Sequence, residues 1–211
     1  MKTLSKSKLL AYRQCPKRLW LEIHRPDLRV DSAQTQASFD VGHAVGEIAQ
    51  RLYDPNGKGV VLDIAQLGIP GLLAKTQELL PERRPIFEAG FSTNSSKGAA
   101  LALADVLVPD PGKRVTSWRM VEIKSSASVK DYHRDDVAIQ HHVATTAGIS
   151  LSGVALAHID SSWTYSGNGD YSGLLIENDL TEEASARAGE VKTWIGEAHQ
   201  IVQLQAPPVM P

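Results

Sequence analysis

The chain has 211 residues, about the length of one large domain, and 42% of them are hydrophobic, which is enough for a substantial core. The formal net charge is −2, but residues 1–30 carry eight Lys and Arg against two acidic residues, so a basic segment precedes an acidic remainder. The sequence contains neither a run of 18 apolar residues nor a signal-peptide pattern, so we expect a cytoplasmic protein without a membrane span. The single cysteine, Cys15, excludes an internal disulfide.

Residues 1–84 predict a helical region that packs on the rest of the protein. Pro16 should divide LSKSKLLAYRQCPKRLWLEIH into two short helices, because proline forfeits a helical hydrogen bond and clashes one turn back. Residues 34–53 predict a long helix that ends at the turn sequence DPNGKG. A shorter helix is predicted from Ile64 to Leu80, with an interruption around residues 69–71.

Residues 85–205 have the pattern of an α/β core. Three apolar segments separated by turn sequences predict two hairpins, and further strands and helices follow: strands at 85–92, 99–110, 117–126, 149–160 and 171–179, and helices at 130–148 and 181–203. We expect Thr181 to open the last helix with a capping box. The order predicts an α/β sandwich with a mixed sheet, in which residues 118–157 form a right-handed crossover. Residues 206–211 resemble a linker, which leaves open whether the natural chain continues past Pro211.

Charged residues are few inside the predicted strands, and they lie in three successive ones: Glu88, then Asp105, then Glu122 with Lys124. Residues that face each other in antiparallel strands stand about 4.5–5.5 Å apart, so Asp105 and Glu122 can converge. Two carboxylates at that distance repel by about 4 kcal/mol at an effective dielectric constant of 20. A divalent cation removes this repulsion, and hard oxygen ligands favour Mg²⁺ or Mn²⁺. Lys124 adds a donor that can position a water molecule or stabilise charge on a phosphate.

Each of these residues also has a structural interpretation. Glu122 and Lys124 share a strand face, so they could form an ion pair on an exposed surface. Asp105 could cap a turn, and Gln140 could be an ordinary surface residue of the helix after the third strand. Glu88 could face either the site or the solvent.

The other polar residues of that helix are given no metal role. The adjacent residues His141 and His142 point about 100° apart on a helix and do not chelate one ion together. His133 with Asp135 or Asp136 is interpreted as a polar first turn, where acidic side chains favour the helix dipole.

An Asp, a gap of 16 residues and then Glu-Ile-Lys at the end of a strand, as in Asp105 and Glu122–Lys124, resembles the PD-(D/E)XK nuclease superfamily. Gln140 and the opening SKSKLLAYRQCPKRLWLE resemble its RecB-like branch and the related CRISPR-associated exonucleases. The resemblance implies a restriction-endonuclease-like fold and a Mg²⁺- or Mn²⁺-dependent deoxyribonuclease. It implies that Asp105, Glu122 and the main-chain carbonyl of Ile123 bind the metal ion. It also implies that Lys124 is the catalytic lysine and that Gln140 orients the lysine, the water or the DNA.

Two features depart from the family pattern. Many relatives place a metal-binding His four residues after a Gly in an early helix, and Gly46 stands at that position in VGHAVGEIAQ. Glu47 is our preferred substitute ligand, and His43 is the alternative. Cluster-bearing relatives use one N-terminal and three C-terminal cysteines, whereas Cys15 alone cannot hold an iron–sulfur cluster, so we expect none in this chain.

The basic N-terminal segment makes DNA the expected partner, either as single strands or as duplex ends. Lys8, Arg13, Lys17 and Arg18 are the candidates for contacts with its backbone, and a solvated helical face is the alternative. A second function also stays open, a nuclease-fold module that lacks catalysis and binds nucleic acid or a partner in a larger repair or defence complex. A small-molecule enzyme is less supported, since the sequence has no nucleotide-binding glycine loop, nucleophile elbow or zinc spacing.

Overall fold

The computed structural model describes residues 3–30, 32–93, 98–110, 112 and 116–209. Its N-terminal part contains β1 (Leu4–Ser5), α1 (Lys6–Gln14), α2 (Pro16–His24), α3 (Ala33–Tyr53), β2 (Val60–Val61) and α4 (Ile64–Leu79). The remainder contains β3 (Ile86–Ser92), β4 (Ala100–Pro109), β5 (Trp118–Lys124), α5 (Asp131–Thr146), β6 (Leu151–Ile159), β7 (Leu175–Asp179), α6 (Thr181–Ala186) and α7 (Ala188–Gln203). No helix in the described ranges is long and apolar enough to span a lipid bilayer.

The described strands form one mixed sheet in the order β2-β3-β4-β5-β6-β7, and β1 pairs with β4 in addition. β3, β4 and β5 are an antiparallel meander, β5 and β6 are parallel neighbours joined through α5, and β7 is antiparallel to β6. This arrangement confirms the predicted fold class, a restriction-endonuclease-like α/β sandwich with helices around a central mixed sheet. The two-residue strands β1 and β2 were not predicted, because so short a segment carries no periodic pattern.

Apolar side chains cover both faces of the sheet. The larger core contains Leu9 and Leu19 of the first two helices together with buried residues of α4, α5 and α7. The smaller core lies on the opposite face, where Tyr53 at the end of α3 packs against Val121 and its neighbours. The long helix α3 therefore covers the face opposite α5, and the sheet lies between them.

Most predicted helices are confirmed, with two differences in detail. Cys15 is extended between α1 and α2, and Pro16 occupies the first position of α2, where its missing N–H costs nothing. The interruption of α4 lies at Gly68 rather than at residues 69–71, because Gly68 adopts a positive φ of 63° that glycine tolerates and other residues rarely do. The helix predicted at 181–203 is divided at Arg187 into α6 and α7.

The predicted capping box at Thr181 is wrong. The hydroxyl of Thr181 instead accepts a hydrogen bond from the backbone N–H of Val154 at 3.0 Å and donates to Asp179 at 2.6 Å. The side chain thus ties the start of α6 to β6, a long-range contact that sequence spacing does not reveal. Parts of the predicted turns at 93–98 and 111–116 and of the linker-like end at 206–211 lie outside the described residues.

Candidate active site

The sheet opens where β4 changes its partner. On one side β4 pairs with β3 over most of its length. On its other side it pairs with β1 at Ala100 and Leu101 and with β5 from Val106 to Pro109. The stretch of β4 between these two pairings has no strand partner on that side among the described residues, and Asp105 lies at its end. The sheet therefore has a gap beside Asp105, where no described strand neighbours β4 on that side.

Three carboxylates lie in one row across the meander. The strand registers, continued by one residue, set Asp105 opposite Glu88 on β3 and opposite Glu122 on β5. Glu88 has a φ of 59°, a left-handed backbone conformation that costs a non-glycine residue about 1–3 kcal/mol. The carboxylate of Asp105 accepts a hydrogen bond from the backbone N–H of Ile123 at 2.7 Å, where the ladder between the strands has ended.

A cavity of about 400 Å³ lies at this gap. Its lining combines the strand residues with one face of α3: Gly42, His43, Gly46, Glu47, Gln50, Glu88, Asp105, Val106, Glu122, Ile123 and Lys124. The structure thus brings the predicted residues Asp105, Glu122 and Lys124 to one cavity, together with both candidate third ligands on α3. Asp105 does not cap a turn, and Glu88 faces the cavity rather than open solvent.

Glu122 is the most enclosed charged residue of the cavity, with only 3% of its surface exposed. Its Oε1 accepts from the ammonium groups of Lys124 at 2.5 Å and Lys6 at 2.9 Å. Its Oε2 accepts from the side-chain amide of Gln140. Glu122 and Lys124 do form an ion pair, but on a buried face, which excludes the exposed-surface interpretation. Gln140 is buried as well, so it is not a surface helix residue.

Two residues of this network were missed by the sequence analysis. Asp136 on α5 is buried, and its carboxylate contacts Lys124 at 2.5 Å and Lys6 at 3.0 Å. Its interpretation as a dipole-favouring acid of a polar first turn is therefore wrong. The spacing of four residues between Asp136 and Gln140, one helical turn, is the signal that could have found it. Lys6 reaches Glu122 because β1 sets the start of α1 beside β4, and no local pattern marks that contact.

The carboxylates of the row differ in their pKa values because their neighbours differ. Burial and the nearby charge of Glu122 raise the pKa of Asp105 well above its usual range. Burial alone would raise the pKa of Glu122 too, but Lys124 and Lys6 outweigh it and hold that pKa well below the usual range. Burial and Glu122 raise the pKa of Glu88. The pKa of Lys124 is raised although burial opposes it, because Glu122 and other carboxylates face it. Lys124 therefore stays an ammonium group at neutral pH.

No protein-family model and no curated protein matches the chain. Comparison with solved structures finds a protein from Eubacterium rectale that carries an assignment as an exonuclease, at 12% identity and a TM-score of 0.53, covering 95% of this chain and 81% of that one. An alkaline exonuclease from Laribacter hongkongensis matches at 12% identity and a TM-score of 0.39, covering 95% of this chain and 90% of that one. The likeness to the first of these is one of fold.

The residues around the cavity suit a divalent cation in their chemistry, since carboxylates and a main-chain carbonyl are the hard oxygen donors that Mg²⁺ and Mn²⁺ prefer. Among the described residues, the four carboxyl groups of Glu88, Asp105, Glu122 and Asp136 lie near two ammonium groups, those of Lys6 and Lys124, so acidic groups outnumber basic ones. In the described ranges, no group of three His, Cys, Asp or Glu side chains is arranged closely enough to bind one metal ion without rearrangement. Both oxygens of Glu122 already accept hydrogen bonds, Oε1 from the two ammonium groups and Oε2 from Gln140, so an ion would share these oxygens with those donors.

The third-ligand candidates lie one turn apart on the exposed cavity face of α3. Desolvation and Glu122 raise the pKa of Glu88, and His43 is close enough to that carboxyl group to offset a small part of the rise. Glu47 also lines the cavity, next to Gly46 in the sequence. Both positions are compatible with a ligand role, so the preference for Glu47 stays a prediction.

The predicted DNA-contacting residues lie outside this cavity. Lys8 and Arg18 both pair with Glu22 at 2.8 Å, and Arg13 pairs with Asp135 at 3.0 Å. Within the described part of the chain, Lys17 forms no ion pair. Much of the N-terminal positive charge is thus neutralised internally, and contact with DNA by these four residues stays a prediction.

Proposed function

We propose that the protein is a metal-dependent DNA nuclease of the RecB-like exonuclease type, which hydrolyses phosphodiester bonds with Mg²⁺ or Mn²⁺. The observation that carries the proposal is the row of Glu88, Asp105 and Glu122 in one cavity with the ammonium group of Lys124. Buried like charges repel and a strained φ at Glu88 costs stability, so the arrangement lowers the stability of the fold. Such costs are typical of a site that binds or transforms a ligand.

Asp105, Glu122 and the main-chain carbonyl of Ile123 would hold the ion, with Glu47 or His43 as a further ligand. The chemistry that a divalent ion supplies at such a site is polarisation of a phosphoryl oxygen and a lower pKa of water. The acidic cavity by itself would repel a phosphodiester, so metal binding and DNA binding should be linked.

Lys124 acts as a donor in this proposal. Because its pKa is raised, it carries a proton that can form a hydrogen bond to a phosphate oxygen as negative charge develops there. Asp136 holds the ammonium group from the side of α5, and Glu122 holds it from β5. Gln140 bridges these two carboxylates, donating to Asp136 at 3.2 Å, and so keeps them in register. Gln140 and Asp136 are positioning residues in this scheme.

The test is cleavage of end-labelled oligonucleotides, single-stranded and duplex, by purified protein with Mg²⁺, Mn²⁺ or EDTA. Asp105→Asn and Lys124→Met should each lower the rate by about 10²-fold or more, the usual effect of removing a charge-stabilising group. Asp131→Asn and Lys75→Met are matched controls, because Asp131 is exposed, Lys75 is half-exposed, and both lie outside the cavity. Labels at the 5′ or the 3′ end distinguish the direction of an exonuclease from internal cleavage. An EDTA-resistant activity, or full activity of either cavity variant, would refute the proposal.

A second candidate is a nuclease-fold module that binds nucleic acid or a partner without cleaving. Two observations favour it: Gly46 occupies the position of the expected His, and the described side chains form no ready metal cage. Calorimetric titration with Mn²⁺ separates the two candidates. A catalytic site should lose its metal affinity in Glu122→Gln, whereas a binding module should retain DNA affinity in that variant and show no turnover.

A further inference from the structure

The connection between β6 and β7 contains a group of three aromatic rings, Trp163, Tyr165 and Tyr171. The ring centroids of Trp163 and Tyr171 are 5.9 Å apart and those of Tyr165 and Tyr171 are 5.2 Å apart, both with nearly parallel planes. Trp163 and Tyr165 are also 5.9 Å apart. Tyr165 is 49% exposed, so the group presents an aromatic surface to solvent. We name these three residues the aromatic platform.

Hydrogen bonds within the loop brace the aromatic platform. The indole N–H of Trp163 donates to the carbonyl of Ser172 at 2.9 Å. The hydroxyl of Tyr165 accepts from the backbone N–H of Gly169 at 2.7 Å. Gly169 and Gly173 adopt positive φ values of 74° and 82°, which lets the chain turn sharply beneath the rings. A preorganised surface binds a ligand without first losing conformational freedom.

The aromatic platform lies at the same edge of the sheet as the acidic cavity. β6 runs parallel to β5, with His158 paired to Lys124, and the loop begins two residues later. On its other side the platform meets α3, where the guanidinium group of Arg51 lies 5.8 Å from the ring centroid of Tyr171. The preceding residue of α3, Gln50, lines the acidic cavity. The platform and the cavity therefore lie at the same edge of the sheet, and adjacent residues of α3 border each of them.

We propose that the aromatic platform stacks on an unpaired nucleobase of the DNA strand whose phosphate lies in the acidic cavity. This inference rests on the proposed nuclease function and adds to it a preference for single-stranded or frayed DNA. Every nucleobase has a π-face, so stacking on Tyr165 does not depend on the DNA sequence. A base inside a duplex already stacks on its neighbours and is not free to stack on Tyr165. Arg51 supplies positive charge beside the rings for an adjacent phosphate.

The experiment compares two fluorescein-labelled oligonucleotides of equal length and charge, one of thymidines and one of abasic residues. Binding is followed by fluorescence anisotropy in Ca²⁺, and a gel afterwards checks that the strands are intact. Wild-type protein should bind the thymidine strand more tightly than the abasic strand. Tyr165→Ala should weaken binding of the thymidine strand by about 5- to 150-fold, the usual range for a stacked base, and leave the abasic strand unaffected.

Two further variants make the result specific. Tyr165→Phe keeps the ring but loses the hydrogen bond to Gly169, so it should bind nearly as well as the wild type if stacking is the cause. Tyr132→Ala removes a tyrosine of similar exposure, 47%, on α5 outside the acidic cavity, and should have no effect. Any of three results would overturn the proposed stacking. They are equal affinity of the wild type for the two strands, equal binding by Tyr165→Ala and wild type, and no measurable binding.

The outcomes for the platform and for the nuclease function remain distinguishable. Base-dependent binding without any cleavage in Mg²⁺ or Mn²⁺ would support the aromatic platform and overturn the nuclease function. Cleavage by wild-type protein with no difference between the thymidine and abasic strands would overturn the platform alone.

Discussion

Replacing Asp105 by Asn should make the metal-free protein more stable while it removes the response to metal. Asp105 lies half-buried between Glu88 and Glu122, and its raised pKa indicates that desolvation and repulsion outweigh the attraction of Lys6 and Lys124. Asparagine has nearly the same shape and is neutral. Its side-chain oxygen can still accept the hydrogen bond from the neighbouring strand.

The expected size follows from the spacing of the row. Each like-charge pair about 5 Å apart contributes roughly 3 kcal/mol of repulsion at an effective dielectric constant of 20. The two lysines and the stronger hydrogen bond that a charged acceptor makes to Ile123 offset most of that repulsion. We expect Asp105→Asn to gain about 1–2 kcal/mol in free energy of unfolding near pH 8, which is a rise in Tm of about 2–8 °C for a chain of this length.

Metal should reverse the order of the two proteins. Mn²⁺ at 100 times its Kd should stabilise the wild type by about 2.7 kcal/mol, whereas Asp105→Asn should gain little because it lacks a ligand. The assay is thermal unfolding followed by circular dichroism, with and without Mn²⁺. Asp131→Asn, an exposed acidic position on α5, should behave like the wild type in both conditions.

The advantage of Asp105→Asn should also depend on pH. Because the folded-state pKa of Asp105 is raised, the wild type loses stability as pH rises from about 4 through that raised value. The two proteins should therefore be nearly equal at pH 4 and differ most at alkaline pH. A metal-free variant that is less stable than the wild type at pH 8, or one that gains as much from Mn²⁺, would refute this account of the row.

Three further predictions concern buried residues of α5 and β3. Asp136→Asn should lower the free energy of unfolding by about 2–4 kcal/mol in urea, because it breaks a buried ion pair to Lys124; a loss below about 0.5 kcal/mol would contradict that role. Burial and nearby positive charge lower the pKa of His133 to about 4, so the stability of the wild type should fall as the pH drops from about 6.5 towards 4. The urea midpoint of His133→Gln should depend less on pH over this range. An equal pH dependence in the two proteins would contradict the role of His133. Gly90→Ala should lower the free energy of unfolding by about 1–3 kcal/mol, since a β-carbon there would lie 2.7 Å from the side chain of Leu72 on α4. Unchanged unfolding in urea would show that Leu72 and α4 can move to make room for it.

The fold was accessible from sequence where the signal is local and repeated. Alternating apolar residues and turn sequences located the meander of β3, β4 and β5, and Pro16 located the boundary between α1 and α2. The fold prediction succeeded because these signals depend only on backbone sterics and on periodic burial. The division at Arg187 and the role of Thr181 were missed because both residues make long-range contacts, Arg187 with Asp135 of α5 and Thr181 with Val154 of β6.

The candidate site divides in the same way. The sequence by itself determined that Asp105 and Glu122 stand on neighbouring antiparallel strands with a lysine two residues further on, and antiparallel pairing carries such residues to one face. Only the tertiary structure decided that Lys6 and Asp136 join them, and that the loop after β6 sets an aromatic surface beside the cavity. Those contacts join chain segments that are far apart in sequence, and their geometry is set by the packing of α1, α3 and α5 around the sheet.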